Sequence, residues 1–249
     1  MNFVMSLVYE GEILGGANAI SVGRTEEAIA VLKRAFQIAD ERVHQDPNDE
    51  STRGRLEMAG YPLASVLREV DPRQALAVYD HTLGHLAEIK TNPNVQFYQA
   101  RAMAGSSYPL RKLGRAAEAR QRLDSAFKLL RQLKMYPADE IELGSGAHRA
   151  LAAQADYEAA TGNVARALQI YQELLDRSAK TKPGPENSLE DAMDQSGIYA
   201  GMAAVHRQAH HADLAAALDG RRLELWRRWE KKLPGNPYVL RQIAWKASR

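Results

Sequence analysis

Apolar residues recur at helical spacing in four segments of the chain, and each segment begins on an alanine. The four alanines are 47, 44 and 48 residues apart. In the third segment, apolar side chains follow the alanine at steps of three and four residues, which places them on one helix face. A period of this size with helical spacing inside it is typical of stacked helical hairpins. The alanines are Ala28, Ala75, Ala119 and Ala167.

Proline and glycine separate these helical stretches, because proline lacks an N–H donor and clashes inside a helix. Pro62 and Pro109 are exceptions, since each falls within a helical stretch and predicts a kink or a local break there. The separating segments are residues 46–49, 92–94, 136–137 and 182–185.

Short turns inside each repeat predict antiparallel neighbouring helices. In three of the four repeats a glycine stands five residues before the alanine, where it would end the first helix. Thr25 and Asn163 then become candidate N-caps, and Asp71 followed by Pro72 is a cap with proline at the first helical position. The three glycines are Gly23, Gly114 and Gly162.

This organisation predicts one all-α domain over residues 1–249 that is built from five helical hairpins and a capping helix. The fifth repeat is less regular, with helices predicted over Leu189–Gln208 and 214–232 and a final helix over 238–247. Trp226 and Trp229 are three residues apart and are predicted to anchor that final helix. The predicted repeats are residues 1–49, 50–93, 94–137, 138–187 and 188–236, with the capping helix at 237–249.

The segments 23–29, 114–120 and 162–168 resemble the inter-helix turn and second-helix start of the tetratricopeptide repeat family. Large residues such as Tyr79 and Tyr171 fall where that family places its bulky core positions, and Gly16 matches its small first-helix position. The period exceeds the family's usual length, so longer helices are expected. The resemblance implies a right-handed superhelix whose first helices line a concave face that binds a protein or peptide.

A second, short resemblance concerns residues 225–238, which are similar to the tail of long-repeat segments that follow eukaryotic-like Ser/Thr kinase domains in some bacteria. It implies a module of a larger bacterial signalling protein. The chain itself contains no glycine-rich phosphate loop, no His-Arg-Asp and no Asp-Phe-Gly motif.

The tetratricopeptide resemblance directs attention to side chains on the first helices. Tyr108 lies seven residues after Arg101, and Arg111 and Lys112 lie three and four residues after Tyr108, so the four residues share a stripe. Guanidinium groups and phenols on a rigid helix suit carboxylates of an acidic or phosphorylated peptide. A solvated helix face is the alternative. The candidate groove residues are Arg68, Tyr98, Arg101, Tyr108, Arg111, Lys112, Arg149 and Asp156.

Composition narrows the class of partner. The formal net charge is +2, which provides no global field for nucleic acid or an anionic membrane. The absence of cysteine removes disulfides, thiol nucleophiles and thiolate metal sites. We find neither a signal-peptide pattern nor an apolar run long enough to span a bilayer. We expect a cytoplasmic protein, or an exported one if it belongs to a larger membrane-anchored chain.

Three other clusters have simpler interpretations than chemistry. The histidines His206, His210 and His211 with Asp213 fall at a predicted turn, which argues against a metal site. The acidic residues at 186–194 are explained by the favourable interaction of negative charge with the N-terminal end of a helix dipole. The third cluster consists of basic residues around the two tryptophans, which could suit single-stranded nucleic acid but are better explained as solvent-facing charges around a core anchor. Its members are Arg221, Arg222, Arg227, Arg228, Lys231 and Lys232.

No Ser–His–Asp pattern, Gly-x-Ser-x-Gly sequence or Walker loop is present, so we expect neither an enzyme nor a bound cofactor. Protein or peptide binding is the predicted function. Two alternatives stay open: a small-molecule sensor that closes around a ligand between the third and fifth repeats, and homo-oligomerisation through the Trp226/Trp229 end.

Overall fold

A computed structural model describes residues 3–46, 49–90 and 94–245. These residues form eleven α-helices without any β-strand, which confirms the predicted all-α class. The helices are α1 (Phe3–Gly15), α2 (Thr25–Gln45), α3 (Glu50–Val70), α4 (Pro72–Ala87), α5 (Val95–Lys112), α6 (Ala116–Gln132), α7 (Gly146–Ala160), α8 (Val164–Lys180), α9 (Leu189–Gln208), α10 (Ala212–Lys232) and α11 (Pro237–Ala244).

The chain divides into two compact units, an N-terminal unit Met1–Tyr136 and a C-terminal unit Pro137–Arg249. This boundary lies one residue before the predicted division between the third and fourth repeats. The prediction of a single domain and of one superhelix through all the repeats stays a prediction.

The N-terminal unit contains three consecutive helical hairpins. Helices α1 and α2, α3 and α4, and α5 and α6 pair within hairpins, while α2 contacts α3 and α4 contacts α5 between them. The first helices α1, α3 and α5 also contact one another in order. The predicted stacking of antiparallel helical hairpins is therefore confirmed within this unit.

The C-terminal unit repeats this arrangement with two hairpins and a short last helix. Helix α7 pairs with α8 and α9 with α10, while α8 contacts α9 and α11 contacts α10. Trp226 of α10 is fully buried, and its ring meets that of Tyr238 in α11 edge-on, with centroids 5.6 Å apart. The indole therefore anchors the final helix as predicted.

Bulky second-helix residues occupy the space above first-helix glycines. A Cβ atom at Gly105 would lie 2.6 Å from the Tyr79 hydroxyl, and one at Gly11 would lie 2.5 Å from Leu32 Cγ. Such distances exclude a methyl group unless the neighbour moves, so glycine permits the close approach of the helices. The prediction for Gly16 is wrong, because α1 ends at Gly15 and Gly11 is the residue beneath Leu32.

The turns inside the hairpins use left-handed glycines. Gly23, Gly114 and Gly162 have φ values of 83°, 74° and 88°, a region that strains residues with a Cβ. The cap predictions had mixed outcomes. Asp71 accepts a hydrogen bond from the backbone N–H of Gln74, as predicted, at 3.0 Å.

Two other cap predictions are wrong in detail. Thr25 is the first residue of α2, whose N-cap position is occupied by Arg24 without a side-chain cap. Asn163 does occupy the N-cap position of α8, but its side chain accepts no hydrogen bond from a backbone N–H of that helix. Its amide nitrogen instead donates to Glu158 Oε2 at 2.8 Å.

Both internal prolines are accommodated without interrupting a helix. Pro62 lies inside α3 and Pro109 inside α5, so the predicted local breaks are absent. The predicted loops at 46–49 and 92–94 and the predicted helix end at residue 247 lie partly outside the described residues. None of the helices described is both long and apolar enough to cross a membrane.

Candidate functional site

An ion pair between α3 and α5 occupies the middle of the first-helix surface of the N-terminal unit. The Arg101 guanidinium donates to both carboxylate oxygens of Glu57, with Nη2 at 2.8 Å from Oε1 and 2.7 Å from Oε2. The Glu57 side chain is 0% exposed and that of Arg101 is 24% exposed. Burial raises the pKa of Glu57, and the nearby positive charge of Arg101 opposes that effect.

Aromatic rings surround the same guanidinium. Arg101 lies over the ring of Tyr61 at 4.3 Å, and the rings of Phe97 and Tyr98 are each 5.7 Å away. The ring of Tyr98, a predicted groove residue, therefore lies beside the Arg101 guanidinium. Because the Nε and Nη2 donors of Arg101 bind Glu57, we assign Arg101 mainly a structural role. No local pattern in the sequence indicates this partner, which lies 44 residues earlier.

A second cationic cluster lies nearer the C-terminal ends of α3 and α5. The Arg68 guanidinium lies over the ring of Tyr108 at 4.4 Å, and the Arg111 guanidinium lies over it at 5.1 Å. The Arg68 Nε is buried without a hydrogen-bond partner among the described residues. Two predicted groove residues, one from each helix, therefore lie against the ring of a third, Tyr108.

Lys112 extends this cluster toward solvent. Its ammonium lies 2.5 Å from Glu69 Oε2, and Arg68 Nε lies 3.6 Å from the other oxygen of that carboxylate. Both the Lys112 and Glu69 side chains are substantially exposed. We call Arg68, Tyr108, Arg111 and Lys112 the Tyr108 cluster.

The remaining predicted groove residues belong to the C-terminal unit. Arg149 Nη2 lies 3.6 Å from Asp194 Oδ1, and burial raises the pKa of that carboxyl against the charge of Arg149. Asp156 accepts a hydrogen bond from the Tyr171 hydroxyl at 2.6 Å. Their continuity with the Tyr108 cluster stays a prediction.

The clusters near the end of the chain have structural roles. His206 Nδ1 and His211 Nδ1 lie 3.4 Å apart at the α9–α10 turn, and these histidines form no three-ligand group with their described neighbours. Arg222 is only 5% exposed and donates to the backbone carbonyls of Gln242 and Trp245. Burial lowers the pKa of Arg222.

Trp226 and Trp229 in the same region are also buried. Trp229 is 7% exposed and its indole N–H donates to the Pro185 carbonyl at 2.8 Å. Because the Trp226 and Trp229 rings are buried, neither can stack on a nucleic-acid base or join a second chain without opening the unit.

One group of candidate metal ligands was not predicted from the sequence. Asp40 on α2 and His81 and His85 on α4 form the group of three candidate metal ligands that the described residues contain. The sequence does contain a pattern that could have indicated this cluster. Asp40 and His44 are four residues apart on one second helix, and His81 and His85 are four residues apart on the next.

No protein-family model matches the chain, and no curated protein matches its sequence. Among solved structures, BtubC (BKLC) from P. vanneervenii is similar at 16% identity with a TM-score of 0.45, over 85% of this chain and 94% of that protein. Yeast Tom70 is similar at 12% identity with a TM-score of 0.24, over 98% of this chain and 64% of that protein. Similarity at this level does not establish a shared function or partner.

Proposed function

We propose that the chain is a protein-interaction scaffold without catalytic activity, and that its N-terminal unit binds an acidic protein segment at the Tyr108 cluster. The stacking of Arg68 and Arg111 on the Tyr108 ring carries this proposal. A guanidinium held over an aromatic ring keeps its N–H edge oriented for a planar carboxylate. Pre-oriented groups reduce the side-chain entropy that is lost on binding.

The charges of the cluster favour an acidic partner. Arg68, Arg111 and Lys112 carry three positive charges, and Glu69 is the carboxylate that contacts two of them. An incoming carboxylate could replace Glu69 on Lys112, because an exposed pair of this kind is worth little in water.

Arg101 and Tyr98 are assigned a supporting role in this proposal. Arg101 is held by Glu57 and by the Tyr61 ring, so it fixes the α3–α5 spacing on which the Tyr108 cluster depends. The proposed contact surface is therefore shorter than the predicted eight-residue groove.

Fluorescence anisotropy with labelled peptides tests the proposal. The full chain is titrated against a glutamate-rich peptide and a lysine-rich peptide of equal length. We expect saturable binding of the glutamate-rich peptide only, and a loss of affinity of at least about tenfold in Arg111→Glu/Lys112→Glu. If the double variant melts early, Lys112→Glu alone replaces it, because Lys112 is exposed. We expect a smaller loss of affinity from this single variant.

The matched control reverses two charges on the second-helix surface of the same unit. Lys128 and Arg131 lie exposed on α6, so Lys128→Glu/Arg131→Glu makes the same change in net charge at another place. Equal weakening by both double variants would mean unspecific charge attraction and would overturn the site. Absence of binding to the glutamate-rich peptide would do the same.

The proposed scaffold would serve as the recognition module of a signalling protein. Its support is the resemblance of residues 225–238 to repeat segments that follow bacterial Ser/Thr kinase domains. Co-purification of the chain with a kinase domain from the same polypeptide or operon tests this role.

A further inference from the structure

Four potential metal ligands meet between the first two hairpins of the N-terminal unit. Asp40 and His44 are one turn apart on α2, and His81 and His85 are one turn apart on α4. His81 Nε2 lies 2.6 Å from Asp40 Oδ1. One ligand atom from each of Asp40, His81 and His85 lies within 4.8 Å of the other two.

The imidazole rings are held near one another by the surrounding packing. The ring centroids of His81 and His85 are 4.8 Å apart, and those of His44 and His85 are 6.3 Å apart. Phe36 of α2 meets the His81 ring edge-on at 5.7 Å, and Phe36 itself packs against the core.

A buried nitrogen in the cluster lacks a partner. His85 Nδ1 is buried and accepts or donates no hydrogen bond among the residues described. Buried polar side-chain atoms normally have at least one partner, so an orphan nitrogen beside a carboxylate calls for a ligand. In the tautomer that has no proton on Nδ1, this nitrogen presents its lone pair to a ligand.

The charged neighbours of His85 are Asp40, Glu88 and Arg53. All three groups interact electrostatically with the His85 ring. Arg53 Nη2 donates to Glu88 Oε2 at 2.7 Å, so these two charges largely compensate each other. Asp40 is then the charged group left to attract a cation toward the histidines.

His44 has the hydrogen bond that a metal-binding histidine commonly makes. Its Nδ1 lies 2.8 Å from the backbone carbonyl of Asp40, which requires the N–H on Nδ1 and leaves a lone pair on Nε2. Its side chain is 67% exposed, so the ring has room to turn toward the other three ligands while Nδ1 stays near the Asp40 carbonyl.

We propose that Asp40, His81 and His85 bind a late first-row divalent cation, for which Zn²⁺ is the representative, with His44 as the fourth ligand. Imidazole nitrogen with one carboxylate suits Zn²⁺, whereas Ca²⁺ and Mg²⁺ prefer oxygen ligands throughout. Ligand atoms in a tetrahedral zinc site lie about 3.3 Å apart. Small side-chain rotations therefore convert the observed cluster into that geometry.

The bound ion would link two second helices whose backbones do not touch directly. Helices α2 and α4 each contact α3, and their own meeting is made by side chains such as Asp40 and His81. A cation shared by the two helices would stabilise the stacking of the first hairpin on the second, because it binds only the folded arrangement.

Calorimetric titration of the untagged full chain with ZnCl₂ near neutral pH tests this site. We expect one equivalent to bind with a Kd of about 10 μM or tighter. His81→Ala/His85→Ala should weaken binding by at least about 100-fold, and His44→Ala by about tenfold. Replacement of zinc by Co²⁺ should give the visible absorption of a four-coordinate ion, and the double variant should lose it.

The second histidine pair of the chain provides the matched control. His206→Ala/His211→Ala also removes two neighbouring imidazoles, but these have no third ligand among the described residues, so the variant should bind zinc like the unaltered chain. Circular dichroism checks that each variant is folded. Asp40→Asn replaces the histidine double variant if that one is unfolded, and it too should weaken zinc binding at least about tenfold.

Three outcomes would overturn the proposal. The first is a Kd for zinc of about 1 mM or weaker in the unaltered chain. The second is equal zinc affinity in the folded His81/His85 or Asp40 variants and the unaltered chain. The third is binding of Mg²⁺ or Ca²⁺ as tightly as zinc, which would exclude the proposed class of cation.

Discussion

Glu57 and Arg101 connect α3 to α5 through an ion pair whose carboxylate is completely shielded from solvent. The guanidinium makes three hydrogen bonds to this carboxylate and also stacks on Tyr61. A buried charge is tolerated only when a partner and hydrogen bonds compensate its lost hydration. Neither residue can therefore be removed alone without leaving the other uncompensated.

Arg101→Ala should lower the free energy of unfolding by about 3 to 5 kcal/mol, because it leaves the Glu57 carboxyl buried without its partner. Chemical denaturation followed by circular dichroism measures this loss. Arg115→Ala is the control, since Arg115 makes a solvent-exposed pair with Glu118 and its removal should cost far less. Similar losses in the two variants would show that the Glu57 pair contributes no more than a surface pair.

Stability of the C-terminal unit should fall as the pH drops from about 6.5 to about 4. His148 is 5% exposed, and burial, with a contribution from Arg149, lowers its pKa to about 4. Over this window the unfolded chain takes up a proton at His148 and the folded chain does not. The depressed pKa therefore corresponds to a loss of about 3 kcal/mol on acidification.

The matched variant for this prediction is His148→Gln, which keeps an acceptor for the Gly144 N–H and does not titrate. All three tryptophans belong to the C-terminal unit, so their fluorescence in denaturant reports on that unit. We expect the stability difference between the unaltered chain and the variant to shrink on acidification. A difference that is constant with pH would contradict the assigned cause.

Gly105→Ala should destabilise the N-terminal unit by about 1 to 3 kcal/mol, because the added methyl group would collide with the Tyr79 hydroxyl. Tyr79→Phe removes the colliding oxygen, so Gly105→Ala should cost less in that background. Thermal melts of the two single variants and the double variant measure the coupling. Additive effects would indicate that the helix moves rather than the ring. Gly84→Ala is the control, since a Cβ there meets open space.

Ser196→Ala should reduce the stability of the C-terminal unit by about 1 to 3 kcal/mol, because the buried Trp226 indole N–H would lose its acceptor. The Ser196 hydroxyl accepts that bond at 2.8 Å. Tryptophan fluorescence in denaturant measures the change. Ser196→Thr keeps a hydroxyl and should restore most of the loss unless its methyl group does not fit. An unchanged Ser196→Ala midpoint would rule out this bond as a stabilising contact.

The sequence predicted the elements that depend on local spacing. The helix Leu189–Gln208 was predicted to the residue, because its apolar periodicity and its flanking turn are both local signals. Asp71 as a cap followed by Pro72 likewise needs only neighbouring residues. Of the kink or local break predicted at Pro62, the break is absent, because tertiary packing overrides the local cost of a proline in a helix, and the kink stays a prediction.

The site was less accessible to sequence reasoning. The stripe on α5 was found, since Tyr108 and Arg111 share a face at helical spacing. Its partner Arg68 was placed only as a possible extension, and the Glu57 pairing of Arg101 was missed, because nothing in a sequence states which residue of another helix lies opposite. The same reason hid the Asp40–His81 contact, whose members are 41 residues apart.

The sequence by itself determined that this chain consists of helical hairpins, where each hairpin turns, and which face of each second helix is apolar, because these properties depend on spacing within about 20 residues. The tertiary structure alone decided which charges are buried, which rings stack on which cations, and which histidines meet a carboxylate. Those relationships arise when separate helices are brought to one surface, and a register shift of a single residue would replace them all.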